Sequence, residues 1–306
     1  MRVLQLSDTH LGATWNVRGP QGYCRAQDHH AALERALAPV FRGEVDLVVH
    51  AGDVFDRSRP PRRWVVEAGE LLVRAARRVP VLGIAGNHDR RGIQRWLPHR
   101  ALTFTDRPLR VEHRGLAIGL VPFVRDRMRF RRAVEQLGSV DLLAIHQAPH
   151  GSRVGDFRFR VGAQADTVDG RDLNGVRWVA CGHIHPRQVV QLGRSTVVCG
   201  GSTERTAFSE ALQTKGTVLW DFGGDVVHRF VDHATRPMDE GAGALVRCTE
   251  EEADGVVEGG RIAVVRRDSR RHGAVRPDRR PVRLPLFGGL AGEVGDEAAA
   301  GAVDRR

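Results

Sequence analysis

Five times in the first two thirds of this chain, an apolar stretch of strand length runs directly into a cluster of polar residues able to hold a metal. Residues 3–6 lead to Asp8-x-His10. Residues 45–51 lead to Gly52-Asp53, with Asp56 just beyond. Residues 79–85 lead to Gly86-Asn87-His88-Asp89. Residues 141–146 end on His146, and residues 176–181 lead to Gly182-His183-x-His185. Between the first three stretches the spacing turns helical: Ala32, Leu33, Ala36, Leu37 and Val40 within 28–41, then Val65, Val66, Leu71, Leu72 and Ala75 within 62–77. Strand–helix–strand–helix–strand predicts right-handed crossovers and a parallel sheet. In such a sheet the carboxyl ends of the strands share one edge, where ligands bind. Clusters more than a hundred residues apart are therefore expected to converge.

After residue 115 the pattern changes. Residues 116–121, 141–146, 176–181, 188–192, 196–199, 217–221 and 226–230 are short and strand-like, mostly separated by Gly or polar turns. They predict a second, mostly antiparallel sheet. Two sheets face to face with helices outside give an α/β fold, a four-layer αββα sandwich. Residues 147–174, with Gly151, Gly155, Gly162 and Gly170, are expected to form a long loop beside the site. The main domain is placed at 1–235. Residues 236–306 read as a short Arg-rich C-terminal extension with strands near 244–248 and 261–265 and a partly disordered tail.

The formal charge is +10, and Lys215 is the only lysine. Residues 236–306 hold 13 Arg and 13 Asp plus Glu, so the excess lies entirely in 1–235. A basic main domain suits a polyanion such as nucleic acid, although an arginine-rich proteome gives the same bias. Cys24, Cys181, Cys199 and Cys248 form no CxxC pair, which argues against zinc ribbons and a disulfide scaffold. No apolar run reaches the length of a membrane span, and the N-terminus meets Asp8 too early for a secretion signal. A cytoplasmic protein is expected.

Taken singly, each cluster has an ordinary reading. DxH pairs are common, Asp53 could cap a turn, and His146 could be a half-buried histidine. Gly86-Asn87-His88-Asp89 and Gly182-His183-Ile184-His185 are more specific, since each directly follows an apolar strand. Together the five supply hard oxygens and neutral imidazoles, a mixture suited to two divalent ions of the Mn, Fe or Zn kind. Glycines beside the ligands allow close backbone approach.

The order DxH, GDxxD, GNHD, H, GHxH resembles the signature of the calcineurin-like metallophosphoesterases over roughly residues 1–230. Asp8-Thr9-His10-Leu11-Gly12, Gly52-Asp53-Val54-Phe55-Asp56-Arg57 followed by Arg59-Pro60-Pro61, and Gly201-Ser202-Thr203-Glu204-Arg205-Thr206 followed by Phe208-Ser209-Glu210 are similar to the SbcD-like DNA-repair exonuclease branch. The resemblance implies one metal held by Asp8, His10 and His185, a second held by Asn87, His146 and His183, and Asp53 bridging both. It implies Mn2+ as the usual metal, and His88 as the catalytic acid or transition-state stabiliser, oriented by Asp89. Two such ions about 3.5–4 Å apart stabilise in-line attack on a phosphodiester and acidify a bridging water.

The expected activity is DNA cleavage, exonucleolytic or endonucleolytic, in repair. Arg57 and Arg59, with Arg62 and Arg63, would bind substrate phosphates without reading sequence. Arg125, Arg127, Arg129, Arg131 and Arg132 form a second cluster, read as a solvated helix face rather than a DNA groove. The alternatives are a phosphodiesterase or phosphatase acting on small nucleotides or phosphoproteins, and a non-catalytic DNA-binding or scaffold subunit. The resemblance further implies an SbcC-like SMC-type ATPase as partner, and a homodimer is a further expectation. Arg283-Leu284-Pro285-Leu286-Phe287 resembles QLxLF-type sliding-clamp peptides without their glutamine. Packing of Leu284, Leu286 and Phe287 against their own domain is the reading preferred for so short a motif.

Overall fold

The computed structural model describes residues 1–14, 20–89, 92–155 and 159–236, with the backbone of three short strands beyond. Strand β1 (Arg2–Leu6) is followed by α1 (Pro20–Phe41), β2 (Leu47–His50), α2 (Arg62–Ala76), β3 (Val81–Ile84), a single turn α3 (Ile93–Trp96) and β4 (Leu102–Thr105). The four strands pair in parallel, as the alternating pattern predicts. Each strand sends alternate residues to opposite faces. Leu4, Leu6 and Val48 pack under α1 and α2 with Leu33, Leu37, Leu72 and Ala75, while Val3, Leu47 and Val49 face the other way.

A hairpin, β5 (Leu109–His113) and β6 (Leu116–Val121), opens the second sheet, and α4 (Arg127–Leu137) carries the chain to β7 (Leu142–Ile145). Asp126 caps α4, its Oδ1 accepting from Arg129 N at 2.8 Å. The buried face of α4 is Phe130, Ala133, Val134 and Leu137, and the exposed face carries Arg129, Arg131 and Arg132. Arg127 instead reaches Asp169 at 2.6 Å and Asp172 at 2.8 Å, tying the helix to the turn Gly170–Leu173. Two-residue strands β8 (Ala148–Pro149), β9 (Arg153–Val154), β10 (Phe159–Arg160) and β11 (Thr167–Val168) punctuate the long segment that follows. Then come β12 (Trp178–Cys181), β13 (Gln188–Leu192), β14 (Ser195–Cys199), β15 (Lys215–Asp221) and β16 (Val227–His233). Beyond them β17 (Met238–Asp239), β18 (Ala244–Leu245) and β19 (Ile262–Val265) pair with one another.

The two large sheets run β16-β15-β1-β2-β3-β4 and β13-β14-β12-β7-β6-β5. They face each other across a shared core of Val3, Val49, Ile84, Ile118, Leu120, Leu142, Ala144, Ala180, Val198, Val218 and Trp220. A second core lies under α1 and α2, and a third under α4. This is the four-layer αββα arrangement. Each large aliphatic side chain so buried contributes about 1.5–3 kcal/mol. Gln5 is the polar exception between the sheets. It is satisfied by Trp220 Nε1, which donates to its Oε1 at 2.8 Å, and by the carbonyls of Val198 and Cys181.

Two expectations change. The second sheet is not mostly antiparallel: β6, β7, β12 and β14 are mutually parallel, and only the edge strands β5 and β13 run opposite. Their near-continuous burial is the signature of parallel strands covered on both faces. The connection from β7 to β12 contains no α-helix, so the sequence hides the crossover. Residues 217–221 and 226–230 belong to the first sheet, where β15 pairs antiparallel with β1 and β16 with β15. Cys181 and Cys199 are free buried thiols. Among the described residues no helix is long and apolar enough to cross a membrane. Residues 266–306, including 283–287, lie outside the described residues.

Candidate metal centre

Parallel pairing brings the carboxyl ends of β1, β2 and β3 to one edge of the first sheet. The ends of β7 and β12 reach the matching edge of the second. The loop after β1 is stitched to the loop after β2: Asp8 N donates to Gly52 O, His10 N to Asp53 O, and Leu11 N to Val54 O, at 2.9–3.2 Å. A bridge between Ser7 and Ser202, and the Ser7 hydroxyl donating to Gly201 O at 3.1 Å, join the two sheets there.

The backbone is strained where these side chains are presented. Asp8, His10, Asp53 and His183 have φ of 51°, 42°, 54° and 75°. Non-glycine residues seldom adopt such angles, and they persist only where the surroundings enforce them. Two glycines make room. A methyl group on Gly52 would strike the His146 ring, and one on Gly86 would strike the Asp53 carboxylate.

The candidate ligands fall into two sets that meet at Asp53. In the first, His10 Nε2 lies 3.2 Å from His185 Nε2, and His185 Nε2 lies 3.9 Å from Asp8 Oδ1. In the second, Asn87 Oδ1 lies 3.0 Å from His146 Nε2 and 2.9 Å from His183 Nδ1. Asp53 Oδ2 is 3.7 Å from His10 Nε2 and 3.3 Å from His146 Nε2, so one carboxylate reaches both sets. Asp8, His10 and His185 could hold a metal ion, as could Asp8, Asp53 and His146. Asp56, with His10 and His88, forms a third such group. The mixture of carboxylate, amide oxygen and imidazole fits divalent ions such as Mn, Fe or Zn.

The surroundings fix which atoms face inward. His146 Nδ1 donates to Ala51 O at 2.7 Å, leaving Nε2 for the centre. Both oxygens of Asp8 accept from His183 N, at 3.0 and 3.1 Å. Burial pushes the Asp8 carboxyl up and drives His10 well down, and burial with nearby His146 takes His183 to about 3. Burial also opposes charge on Asp53 and His146. Their mutual attraction wins, holding Asp53 well below the usual carboxylate range and carrying His146 up to about 10. A cation entering beside Asp53 takes the place of that proton.

His88 sits at the rim, half-buried, its ring edge-on to His10 with centroids 4.8 Å apart. Its backbone N–H donates to Asp53 Oδ1 at 2.8 Å, and its Nδ1 donates to Asp56 O at 2.6 Å. Nε2 is left to exchange a proton. Asp89 does not orient this ring as the resemblance implies, since the Asp56 carbonyl does so. The buried Asp89 carboxylate instead accepts from the backbone N–H groups of Val54, Phe55 and Gly86 at 2.9–3.1 Å, locking the two loops together.

Arg57 and Arg59 are exposed on the loop that leaves Asp53, with Arg57 3.5 Å from Asp56. The long segment after β7 does border the centre, with Asp166 Oδ2 3.7 Å from His183 Nε2. Phe123, just past β6, lies over the rings of His183 and His146. Neither Phe123 nor Asp166 stands out in the sequence. Nor does the polar group behind His185, where Thr206 Oγ1 and Glu210 Oε1 sit 2.7 and 2.8 Å from Nδ1. The one available signal is that the chain's only lysine follows Glu210 by five positions.

The sequence profile of the calcineurin-like phosphoesterases matches residues 1–187. A 98-residue stretch is 37% identical to the DNA double-strand break repair protein Mre11 of Methanosarcina acetivorans, covering 32% of this chain and 15% of that protein. The match to Mre11 of Methanococcus maripaludis is 26% identical over 252 residues, 74% of this chain and 64% of that protein. The match to an SbcCD nuclease subunit of Bacillus subtilis is 27% identical over 265 residues, 72% of this chain and 66% of that protein. The chain spans less than two thirds of the length of each of these relatives. A strained edge with two ligand sets about Asp53 and a profile match over more than half the residues lead to one statement: the chain belongs to the calcineurin-like phosphoesterase family.

Proposed function

We propose that this chain is a metal-dependent phosphodiester hydrolase that cuts DNA in repair, as an exonuclease or at structured ends. The observation that carries the reading is the meeting of two three-residue ligand sets at Asp53. Asp8, His10 and His185 would hold one ion, Asn87, His146 and His183 the other, and Asp53 both, with Mn2+ the preferred metal. When bound, such a pair supplies positive charge to the transition state and lowers the pKa of water.

The chain's own residues do the rest. Asp56 O holds the His88 ring through Nδ1, so a protonated His88 can give its Nε2 proton to the leaving sugar oxygen. Exposed Arg57 and Arg59 are placed to take backbone phosphates, which explains a basic domain without base-reading groups. DNA as substrate, an SbcC-type ATPase as partner and a cytoplasmic setting draw support from relatives named for double-strand break repair and as part of a nuclease.

The test is Mn2+-dependent cleavage of end-labelled duplex and single-stranded DNA, with bis-p-nitrophenyl phosphate and a cyclic nucleotide alongside and Asp53→Asn as control. Cleavage of DNA by the wild type, absent in the variant, is the expected result. Hydrolysis of the small diester or cyclic nucleotide without cleavage of DNA keeps the metal centre and overturns the substrate.

A further inference from the structure

Behind the first ligand set the chain buries its only lysine. Lys215 opens β15 and is 1% exposed, and Glu210, on the turn Phe208–Glu210, is 5% exposed. Lys215 Nζ lies 2.7 Å from Glu210 Oε2, 2.9 Å from Gln213 Oε1 and 2.9 Å from Ser202 Oγ. Glu210 Oε1 accepts from His185 Nδ1 and from the Thr206 hydroxyl, each at 2.8 Å, while Oε2 also accepts from Thr206 N at 2.9 Å. A fourth contact, 3.3 Å from Lys215 Nζ to His185 O, places the same ammonium against the backbone of the residue whose ring Glu210 holds.

Two features set this group apart from an ion pair that merely fastens a loop. The first is the choice of lysine where every other strongly basic side chain is arginine. A compact ammonium with three tetrahedral donors matches three oxygens converging from Glu210, Gln213 and Ser202, and a planar guanidinium does not. The second is energetic. A buried ion pair seldom stabilises a fold more than packed apolar residues of the same volume. An apolar pair could fill this space, but it could not accept the proton of His185 Nδ1.

We propose that Glu210 and Lys215 are positioning residues for His185. Glu210 holds the ring as its Nδ1–H tautomer, so that Nε2 is presented beside Asp8 and His10. Lys215 keeps the carboxylate and the His185 carbonyl in register. The buried pair thereby sets how tightly the ion at that position is held, leaving the position of Asn87, His146 and His183 to other supports. The inference rests on the metallophosphoesterase reading above. Carboxylate partners of metal-bound histidines change metal affinity by about 10- to 100-fold.

The experiment uses the full chain, stripped of metal and titrated with Mn2+ by calorimetry and by electron paramagnetic resonance of free Mn2+. The wild type is compared with Glu210→Ala/Lys215→Met, which removes both charges together, and with Glu210→Gln. Two ions are expected for the wild type. In the double variant one ion should bind about 10- to 100-fold more weakly and the other unchanged, with Glu210→Gln in between. Variants that fold and bind both ions with wild-type affinity overturn the proposal. A second measurement needs no variant: long-range 15N NMR of the metal-free wild type should find His185 protonated at Nδ1. An Nε2–H ring there overturns the positioning role even where the variants fail to fold. A wild type that binds no Mn2+ overturns both this inference and the reading beneath it, whereas two ions with indifferent variants overturn only this one.

Discussion

The two ligand sets are supported by different materials. His146 is aimed by a backbone carbonyl, Ala51 O, at the end of a buried strand, and Gly52 clears the space its ring occupies. His185 is aimed by side chains, Thr206 and Glu210, with Lys215 behind them. The first support is part of the sheet edge and cannot be altered without altering the fold. The second is a polar group assembled from the loop between β14 and β15, where residues can be exchanged while the cores stay intact. The same reaction centre thus has one half set by topology and one half set by sequence.

The largest effect is expected where the halves meet. Asp53→Asn weakens a carboxylate contact to both sets, and hydrolysis of bis-p-nitrophenyl phosphate should fall about a thousandfold. Loss of a single ion with the other fully retained would separate the halves more than the shared carboxylate allows. Next is His88→Ala, which touches neither support: both ions should remain by calorimetry while turnover falls about 100- to 10,000-fold. Retained turnover would remove His88 from the chemistry.

A smaller effect concerns protons. Without a cation His146 keeps its proton up to about pH 10, because attraction to Asp53 outweighs burial. Metal binding must release that proton, so apparent affinity at this half should rise with pH, by up to about tenfold per unit below 10. Calorimetry in two buffers of different ionisation enthalpy counts the released proton, and a flat pH dependence would deny the competition. The smallest effect lies at the rim. Arg57→Ala and Arg59→Ala should each lower the salt slope of DNA affinity by about 1 and leave the small diester untouched.

Much of this centre is legible in the sequence, for a geometric reason. When strands run parallel, residues at their carboxyl ends share an edge however far apart they are in the chain. Asp8, Asp53, Asn87, His146 and His183 can therefore be grouped from the apolar runs before them. Supports that depend on tertiary neighbours cannot. Nothing local says that Glu210 meets His185, or that Asp89 takes three backbone N–H groups rather than the His88 ring. The direction of the second sheet is hidden because the crossover from β7 to β12 lacks the α-helix that announces a parallel pair. The place of β15 in the first sheet is hidden because its contact with β1 spans almost the whole domain.

The most direct test of the two-set centre is anomalous diffraction from crystals of the wild-type chain soaked in Mn2+. Two peaks are expected, one among Asp8, His10 and His185 and one among Asn87, His146 and His183, both in contact with Asp53. A single peak, or a pair that leaves Asp53 bound to only one ion, would contradict the account.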